Sequence, residues 1–369
     1  MRHLRTHPGF TLVELLVSTA IISLLMLMLM TMTNQTSALW QRTTGKLEQF
    51  RGARTAFETI TTRLSQATLN TYWDYDNATA PTKYQRRSEL RFLSGPADEV
   101  FAKAPGPVKP TGGNQWVTHA VFFQAPFGVT ETASYKGFGS MLNTWGYYVE
   151  YSDDVAARPA ILSQSSIPPQ PRWRFRLMEF RQPSESMTLY TKSSGPNTQN
   201  YAGREWFRTA MGSAKPPVRA VADNIIALII TPRLARADEA AVSASSTGNN
   251  ESPLAKNYIY DSAPAVATGS GQTYSDGRLN PMNQLPPLLD VTLVAIDETS
   301  ALRLNFSSTT SDTFGIKGKF LKTADYDKDL RMGTGTSLED SLIKLGASYR
   351  IMRTSVIIRG AKWSTEQTN

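Results

Sequence analysis

Histidine, cysteine and carboxylate side chains come first in a search for chemistry, because most catalytic and metal sites are built from them. The 369-residue chain has no cysteine and three histidines. His3 and His7 lie in a short basic leader, and His119 lies in an apolar run that predicts a β-strand, where it is expected to be structural. Zinc sites of histidine and cysteine are therefore excluded, and no phosphate-binding glycine motif is present. We predict no enzymatic activity and no cofactor.

One run of alternating acids could hold a hard cation. Asp325, Asp327 and Asp329 could turn three carboxylates toward calcium, which prefers oxygen ligands. The run departs from a calcium loop because Leu330 stands where glycine is needed for the turn, and Lys328 opposes cation binding. We keep the three aspartates as a weak calcium candidate, with a solvated acidic loop as the alternative.

A second charged pattern lies on a predicted strand over residues 172–177, where arginine alternates with apolar side chains. On a strand the apolar residues face the core, and Arg172, Arg174 and Arg176 line the opposite face. The arginines could bind an acidic partner or DNA, and the net charge of +8 permits such attraction. The alternative is an ordinary half-buried strand with a soluble outer face.

The most informative single residue is a carboxylate inside an apolar segment. From Phe10 to Met30 the only charge is Glu14, and about 20 apolar residues suffice for a helix to cross a bilayer. A carboxylate there costs about 2.5–3.5 kcal/mol on insertion scales, so it is expected to have a partner and a function. The preceding leader carries Arg2 and Arg5, so the positive-inside bias keeps it cytoplasmic and exports the rest.

The Gly-Phe-Thr-Leu-Val-Glu motif of residues 9–14, followed by an apolar helix, resembles the N-terminal signal of type IV pilins and type II secretion pseudopilins. The resemblance implies that a prepilin peptidase cuts between Gly9 and Phe10 and N-methylates Phe10. It also implies that Glu14 neutralises the terminal amine of a neighbouring subunit during filament assembly. An ordinary signal peptide and a plain signal anchor are the alternatives, but neither requires these three residues in this register.

Two narrower resemblances follow. The segment from Leu64 to Asp76 is similar to the pilin-like Verru_Chthon cassette protein C family. A long helix before a β-rich head, with a late segment from Leu285 to Val291, is similar to the J-type minor pseudopilins. The K-type minor pseudopilins typically lack the glutamate found here as Glu14, so its presence argues against a K-type assignment.

The elements that must position these residues are read from periodicity. Residues 10–69 predict one long helix, with Gly45 and Gly52 marking a softened segment. Its second half carries an apolar stripe at helical spacing. The stripe is formed by Phe50, Ala53, Phe57, Ile60, Leu64 and Ala67. We therefore divide the chain into a leader (1–9), a transmembrane part (10–30), an amphipathic part (31–70) and a globular head (71–369).

The head is predicted to be antiparallel and mainly β, which makes the chain an α+β protein of pilin-like type. The predicted strands are Glu89–Leu93, Val117–Gln124, Gly146–Tyr151, Arg172–Phe180, Asn224–Thr231, Leu289–Ile296 and Tyr349–Ile358. A short helix is predicted over Ser337–Leu345. Residues 235–287 are of low complexity and predict a surface insertion.

These features together predict a minor pseudopilin or type IV pilin subunit, built into a hetero-oligomeric filament with other pilin-like subunits and the assembly machinery. The expected location is the inner membrane, crossed once, with a cytoplasmic N-terminus and a periplasmic head. After assembly the protein would lie in a periplasmic or extracellular filament. The alternatives are a DNA-binding or adhesive pilus-tip protein and a membrane-anchored envelope protein that does not polymerise.

Overall fold

A computed structural model describes residues 11–75, 79–82, 84–102, 114–155, 158, 169–187, 205–213, 215–236, 238, 254–262, 281–333 and 335–363. The chain divides into two compact units, residues 1–51 and 52–369. The described part of the first unit is helical and the second unit contains helices and antiparallel strands, so the predicted α+β class is confirmed.

The described part of the first unit is one helix, α1 (Leu12–Gln49), of 38 residues. Leu12–Thr33 is, by length and composition, a candidate membrane span of 22 residues. At 1.5 Å per residue it is about 33 Å long, which matches a hydrocarbon core of about 30 Å. Its apolar side chains are exposed, as lipid-facing side chains would be.

The single helix predicted over residues 10–69 is two helices. Helix α1 ends at Gln49 and a turn at Phe50 follows. Helix α2 (Arg51–Leu64) then begins at the last residue of the first unit and continues into the second. The break lies between Gly45 and Gly52, where a softened segment was predicted. The predicted helix also extends too far, because α2 ends at Leu64. The Thr68 N–H donates to the Gln124 carbonyl at 2.9 Å, so the backbone here bonds to the sheet and not within a helix.

The amphipathic character of the second helical segment is confirmed. Ala53, Ile60, Leu64 and Ala67 are buried, while Phe57 is half-buried. Helix α2 is therefore packed through this stripe onto the head.

Eleven strands are described in the head. They are β1 (Tyr72–Tyr75), β2 (Tyr84–Arg87), β3 (Leu93–Pro96), β4 (Gln115–Ala125), β5 (Asn143–Ser152), β6 (Arg174–Gln182), β7 (Val218–Asp223), β8 (Ile225–Arg233), β9 (Tyr260–Asp261), β10 (Leu288–Ile296) and β11 (Tyr349–Ile357). A six-stranded sheet has the order β7-β6-β5-β4-β3-β9, a three-stranded sheet has the order β11-β10-β8, and β1 pairs with β2. Every pairing is antiparallel, as predicted.

Six of the seven predicted strands are found within a few residues of their expected bounds, and the prediction of Glu89–Leu93 is wrong. Side chains rather than a neighbouring strand satisfy the backbone there. The Asn70 Oδ1 atom accepts the N–H groups of Glu89 and Leu90, each at 3.0 Å. The Gln124 Oε1 atom accepts the N–H of Arg91 at 2.7 Å. Pairing begins only at Leu93, and β1, β2, β7 and β9 were not predicted.

Short helices complete the head. They are α3 (Ala97–Ala102), α4 (Glu205–Met211), α5 (Glu298–Leu304), α6 (Tyr326–Leu330) and α7 (Leu338–Lys344). The predicted helix at Ser337–Leu345 is confirmed as α7, with Ser337 and Asp340 forming both halves of a capping box. Gly346 follows with a φ of +62°, a left-handed conformation that glycine adopts without strain.

The predicted surface insertion at residues 235–287 needs correction within the part that the structure describes. Leu254, Tyr258 and Tyr260 are buried, and β9 joins the six-stranded sheet by pairing with β3. The Asp261 carboxylate accepts two hydrogen bonds from the buried Arg91 guanidinium, at 2.7 and 2.8 Å. The described parts of this segment therefore contribute apolar and aromatic side chains to the core.

The described residues of the core include two apolar clusters. One lies between the six-stranded and three-stranded sheets and contains Tyr151, Phe175, Val294 and Phe314. The other covers the six-stranded sheet beneath α4, where the Phe122 ring stacks on Phe207 with centroids 3.8 Å apart.

Candidate functional site

The first turn of α1 holds the carboxylate that the sequence marks as unusual. Glu14 Oε2 accepts the Thr11 backbone N–H at 3.0 Å and the Thr11 hydroxyl at 2.9 Å. Thr11 Oγ1 in turn accepts the Glu14 N–H at 3.3 Å, and the Thr11 carbonyl accepts the Leu15 N–H. Thr11 is thus the N-cap of α1, and the two side chains form a capping box.

This arrangement gives Glu14 a structural role within its own chain. It satisfies a backbone N–H that no carbonyl of the helix can reach, and it places a negative charge at the positive end of the helix dipole. The Thr-x-x-Glu spacing of this box is readable in the sequence, although the box was not among the predicted features. The predicted cleavage and methylation residues, Gly9 and Phe10, lie outside the described residues.

Beyond this turn, α1 is adapted to an apolar environment. Hydroxyl groups along it donate to backbone carbonyls three or four residues earlier, at 2.7–3.0 Å. The donors are Ser18, Thr19, Ser23, Thr31 and Thr33. Because each of these hydroxyls is satisfied inside the helix, they can face hydrocarbon at little cost.

A buried carboxylate fixes α2 to the head. Glu179 on β6 is fully buried and accepts hydrogen bonds from Tyr147 at 2.8 Å, Trp145 at 2.9 Å and Arg219 at 2.6 Å. Arg63, near the end of α2, forms an ion pair with the same carboxylate. Although burial by itself raises it, the pKa of Glu179 is lowered overall by these hydrogen bonds and charges. This ionised group joins the helix to strands β5, β6 and β7.

The Arg63 guanidinium makes a second contact with the head, because it lies 4.5 Å from the centroid of the Trp145 ring. A cation over an indole face gains further stabilisation when it is partly desolvated. The sequence did not predict this anchor, because Tyr147 and Glu179, the hydrogen-bond partners of Arg63, are 84 and 116 residues away along the chain.

The three arginines of the predicted cationic strip have partners in their own chain. Arg172 and Arg174 pair with the Glu298 carboxylate at 3.4 and 2.9 Å. Arg176 pairs with Asp223 at 3.3 Å. The intervening apolar side chains face the core as predicted, since Trp173, Phe175 and Leu177 are buried. Binding of an anionic partner here stays a prediction, and a partner would have to compete with these ion pairs.

The three aspartates proposed for calcium are not brought together. Asp325 ends a 3₁₀ turn, whereas Asp327 and Asp329 lie on α6, where residues two apart point in different directions. Asp327 pairs with Arg331 at 3.1 Å, and Asp329 accepts the Phe320 N–H at 2.7 Å. No group of three or more metal-ligating side chains occurs in the part of the chain that the structure describes. Calcium at these residues stays the weak candidate that the sequence offered beside a solvated acidic loop.

His119 joins the two larger sheets at a bulge in β4. Its Nδ1 atom accepts the Ile230 N–H at 3.0 Å, so the ring proton is on Nε2, which donates to the Phe320 carbonyl at 2.8 Å. The preceding Thr118 has a φ of +57° and accepts the Leu228 N–H at 3.0 Å through its hydroxyl. The two side chains thus bond to the edge of β8 that does not pair with β10, and burial lowers the pKa of His119 to about 4.

Residues 4–30 match the family model of the prokaryotic N-terminal methylation motif. The match includes the Gly9–Phe10 bond, the capping residues Thr11 and Glu14, and most of the apolar span. No curated protein and no solved structure matches the chain. The chain therefore carries a prepilin-type N-terminal motif, and the comparisons assign nothing to its head.

Proposed function

We propose that this protein is a pilin-like structural subunit of a pilus or pseudopilus, without enzymatic activity. The observation that carries the proposal is the match of residues 4–30 to the N-terminal methylation motif. The candidate membrane span that follows and the separate antiparallel β head support it, because they provide an anchor and an exported domain.

In the proposed mechanism, prepilin peptidase cuts after Gly9 at the cytoplasmic face of the inner membrane and N-methylates Phe10. The new amine is positively charged, and Glu14 of a neighbouring subunit receives it. Thr11 occupies Glu14 Oε2 with two hydrogen bonds, but a carboxylate has about four acceptor positions, so capping and pairing are compatible. Two charges 4 Å apart attract by about 4 kcal/mol at an effective dielectric constant of about 20, which offsets an insertion cost of about 2.5–3.5 kcal/mol.

Within this class we infer a minor subunit, similar to the J-type pseudopilins, with the Verru_Chthon cassette protein C family as the second assignment. The large second unit, residues 52–369, which consists of most of α2 and the head, supports a minor position because a bulky subunit packs poorly in a tightly repeating shaft. Other pilin-like subunits, the peptidase and the assembly machinery are the proposed partners, with the head periplasmic and later part of a filament.

Intact mass of the mature protein purified from its host membrane tests the processing step. We expect a chain that begins at N-methylated Phe10. A chain that begins at Met1, or one cut downstream of the apolar segment, would refute the proposal.

Assembly is tested with two substitutions that separate capping from charge. Glu14→Gln keeps a carbonyl oxygen able to cap Thr11, whereas Glu14→Ala removes both functions. We expect both variants to be cleaved and inserted normally, and both to be absent from sheared filament fractions. If Glu14→Gln assembles like the wild type, the carboxylate acts only as a cap, and the charge-pairing mechanism is wrong.

A DNA-binding pilus-tip protein is the second candidate, based on Arg172, Arg174 and Arg176. The ion pairs with Glu298 and Asp223 weigh against it. Filter binding to duplex DNA across a salt series tests it, since a phosphate-binding surface must lose affinity steeply as salt rises. A membrane-anchored protein that never polymerises is the third candidate, and normal function of Glu14→Ala would favour it.

A further inference from the structure

The hairpin of β1 and β2 displays an exposed row of aromatic rings. Trp73, Tyr75 and Tyr84 are 58%, 43% and 61% exposed. In the antiparallel register Tyr75 lies opposite Tyr84, and Trp73 lies opposite Arg86, so these four side chains share one face of the hairpin. Tryptophan and tyrosine normally lie in cores and interfaces. Three such side chains exposed to solvent on one small surface are therefore unusual.

The rings are held in place before any ligand arrives. Tyr75 and Tyr84 stack with centroids 4.7 Å apart, and their hydroxyls form a 2.9 Å hydrogen bond. The Trp73 ring has the Arg86 guanidinium 5.4 Å from its centroid, and Arg86 is buried and bonded to Gln284 of the head. A preorganised surface loses little side-chain entropy on binding.

Within strands β1 and β2, as far as the structure describes the hairpin, the charged groups are already engaged. Arg87 pairs with Asp74 at 3.4 Å on the opposite face and donates to the Tyr75 carbonyl at 3.0 Å. Arg86 is occupied by Gln284 and the Trp73 ring. Binding of a nucleic acid depends on lysine and arginine reaching phosphates, so this face is poorly suited to it.

The area also disfavours a protein partner. An aromatic side chain buries about 150–250 Å² when fully covered, so three rings that are about half exposed offer roughly 300 Å². A stable protein interface needs about 800 Å² from each partner. A small ligand unit repeated along a polymer fits this area better.

From these observations we propose that the β1–β2 hairpin is a carbohydrate-binding platform for neutral pyranose polymers. The C–H groups on one face of a pyranose ring carry a small partial positive charge, so this face packs on the electron-rich face of an indole or phenol. The Tyr75 and Tyr84 hydroxyls lie at the rim of the rings, where they can exchange hydrogen bonds with sugar hydroxyls. The proposal concerns the head surface and holds whether or not the protein polymerises.

The test uses the full-length protein in a polyoxyethylene detergent, because detergents with sugar head groups would compete. The probes are insoluble cellulose, chitin, starch and mannan, and the readout is the fraction of protein depleted from solution at increasing polymer concentration. We expect saturable binding to at least one polymer. Trp73→Ala and Tyr84→Ala are each expected to weaken it about tenfold, the effect of losing one ring contact.

Phe138→Ala is the matched control, because Phe138 is an aromatic residue with 60% exposure outside the hairpin. It should bind like the wild type, and Tyr84→Phe, which keeps the ring, should retain most of the affinity. Lack of wild-type binding to all four polymers, or equal loss in Phe138→Ala, would overturn the proposal. Binding of a thymidine oligonucleotide that Trp73→Ala abolishes would also overturn it in favour of a nucleic-acid platform.

Discussion

Replacing His119 by glutamine should remove the part of the acid sensitivity of the head that comes from this buried ring. In the folded head the neutral ring accepts from Ile230 and donates to Phe320, and it packs against Tyr258 with ring centroids 4.6 Å apart. Protonation of Nδ1 would break the bond to Ile230 and place a charge in the core. Glutamine has one acceptor and one donor end, so it can keep both hydrogen bonds but cannot be protonated.

The sign and size of the effect follow from the lowered pKa. In the unfolded chain histidine has a pKa of about 6.5, whereas burial lowers the pKa of His119 to about 4 in the folded head. Between these values the unfolded state binds more protons, so stability falls as the pH falls. The destabilisation begins below about pH 6.5 and reaches about 3 kcal/mol at pH 4.

Urea unfolding of the full-length chain in detergent, followed by tryptophan fluorescence at pH 7, 5.5 and 4, measures this effect. The free energy lost between pH 7 and pH 4 should be about 3 kcal/mol larger for the wild type than for His119→Gln. Titrating carboxylates contribute equally to both proteins and cancel in this difference. Equal pH dependence in the two proteins would show that His119 is not a buried neutral residue, and the account of how the sheets are joined would be wrong.

Three further substitutions test the packing of the head by the same unfolding measurement at pH 7. Glu179→Ala should cost about 3–5 kcal/mol, because it leaves Arg63 without its buried partner; a cost below 1 kcal/mol would contradict the anchoring role of this carboxylate. Gly146→Ala should cost about 1–3 kcal/mol or more, because the added Cβ would overlap the Phe122 ring; a neutral effect would mean that this cluster is loosely packed. Gly52→Ala should stabilise α2 by about 0.5–1 kcal/mol, because no atom lies within 4 Å of the added Cβ; destabilisation would show that glycine is needed at this position.

The capping bonds of Glu14 bear on the charge pairing proposed for it. If Glu14 pairs with a neighbouring subunit as proposed, its carboxylate is already partly satisfied before assembly, so the free subunit would be less costly to keep in the membrane. The same capping box orders the first turn of α1, next to the position that the methylated Phe10 would occupy. A substitution that changes only the charge is therefore more informative than the usual alanine.

The anchor between α2 and the head has a mechanical consequence. Glu179 connects Arg63 to three strands, so a force transmitted along α2 would reach the six-stranded sheet through a buried ion pair and its hydrogen bonds. The head and the helix that carries it are joined by more than apolar contact. This is the property that a subunit built into a filament through its helix requires.

Local sequence determined much of this protein. The apolar run with a single acid predicts α1, and period-two patterns predict the central strands, because a helix or strand face is read from neighbours two to four residues apart. The Thr11 and Glu14 box, like the Ser337 and Asp340 box, is equally local.

Tertiary structure decided which charges and backbone groups found partners. Glu298 reaches Arg174 from 124 residues away, and Asp261 meets Arg91 across 170 residues. Asn70 satisfies the backbone where a strand was expected, and Trp73 joins the aromatic face only because β1 pairs with β2. Periodicity shows which side of an element a residue occupies, but the partner on that side depends on the pairing of distant segments.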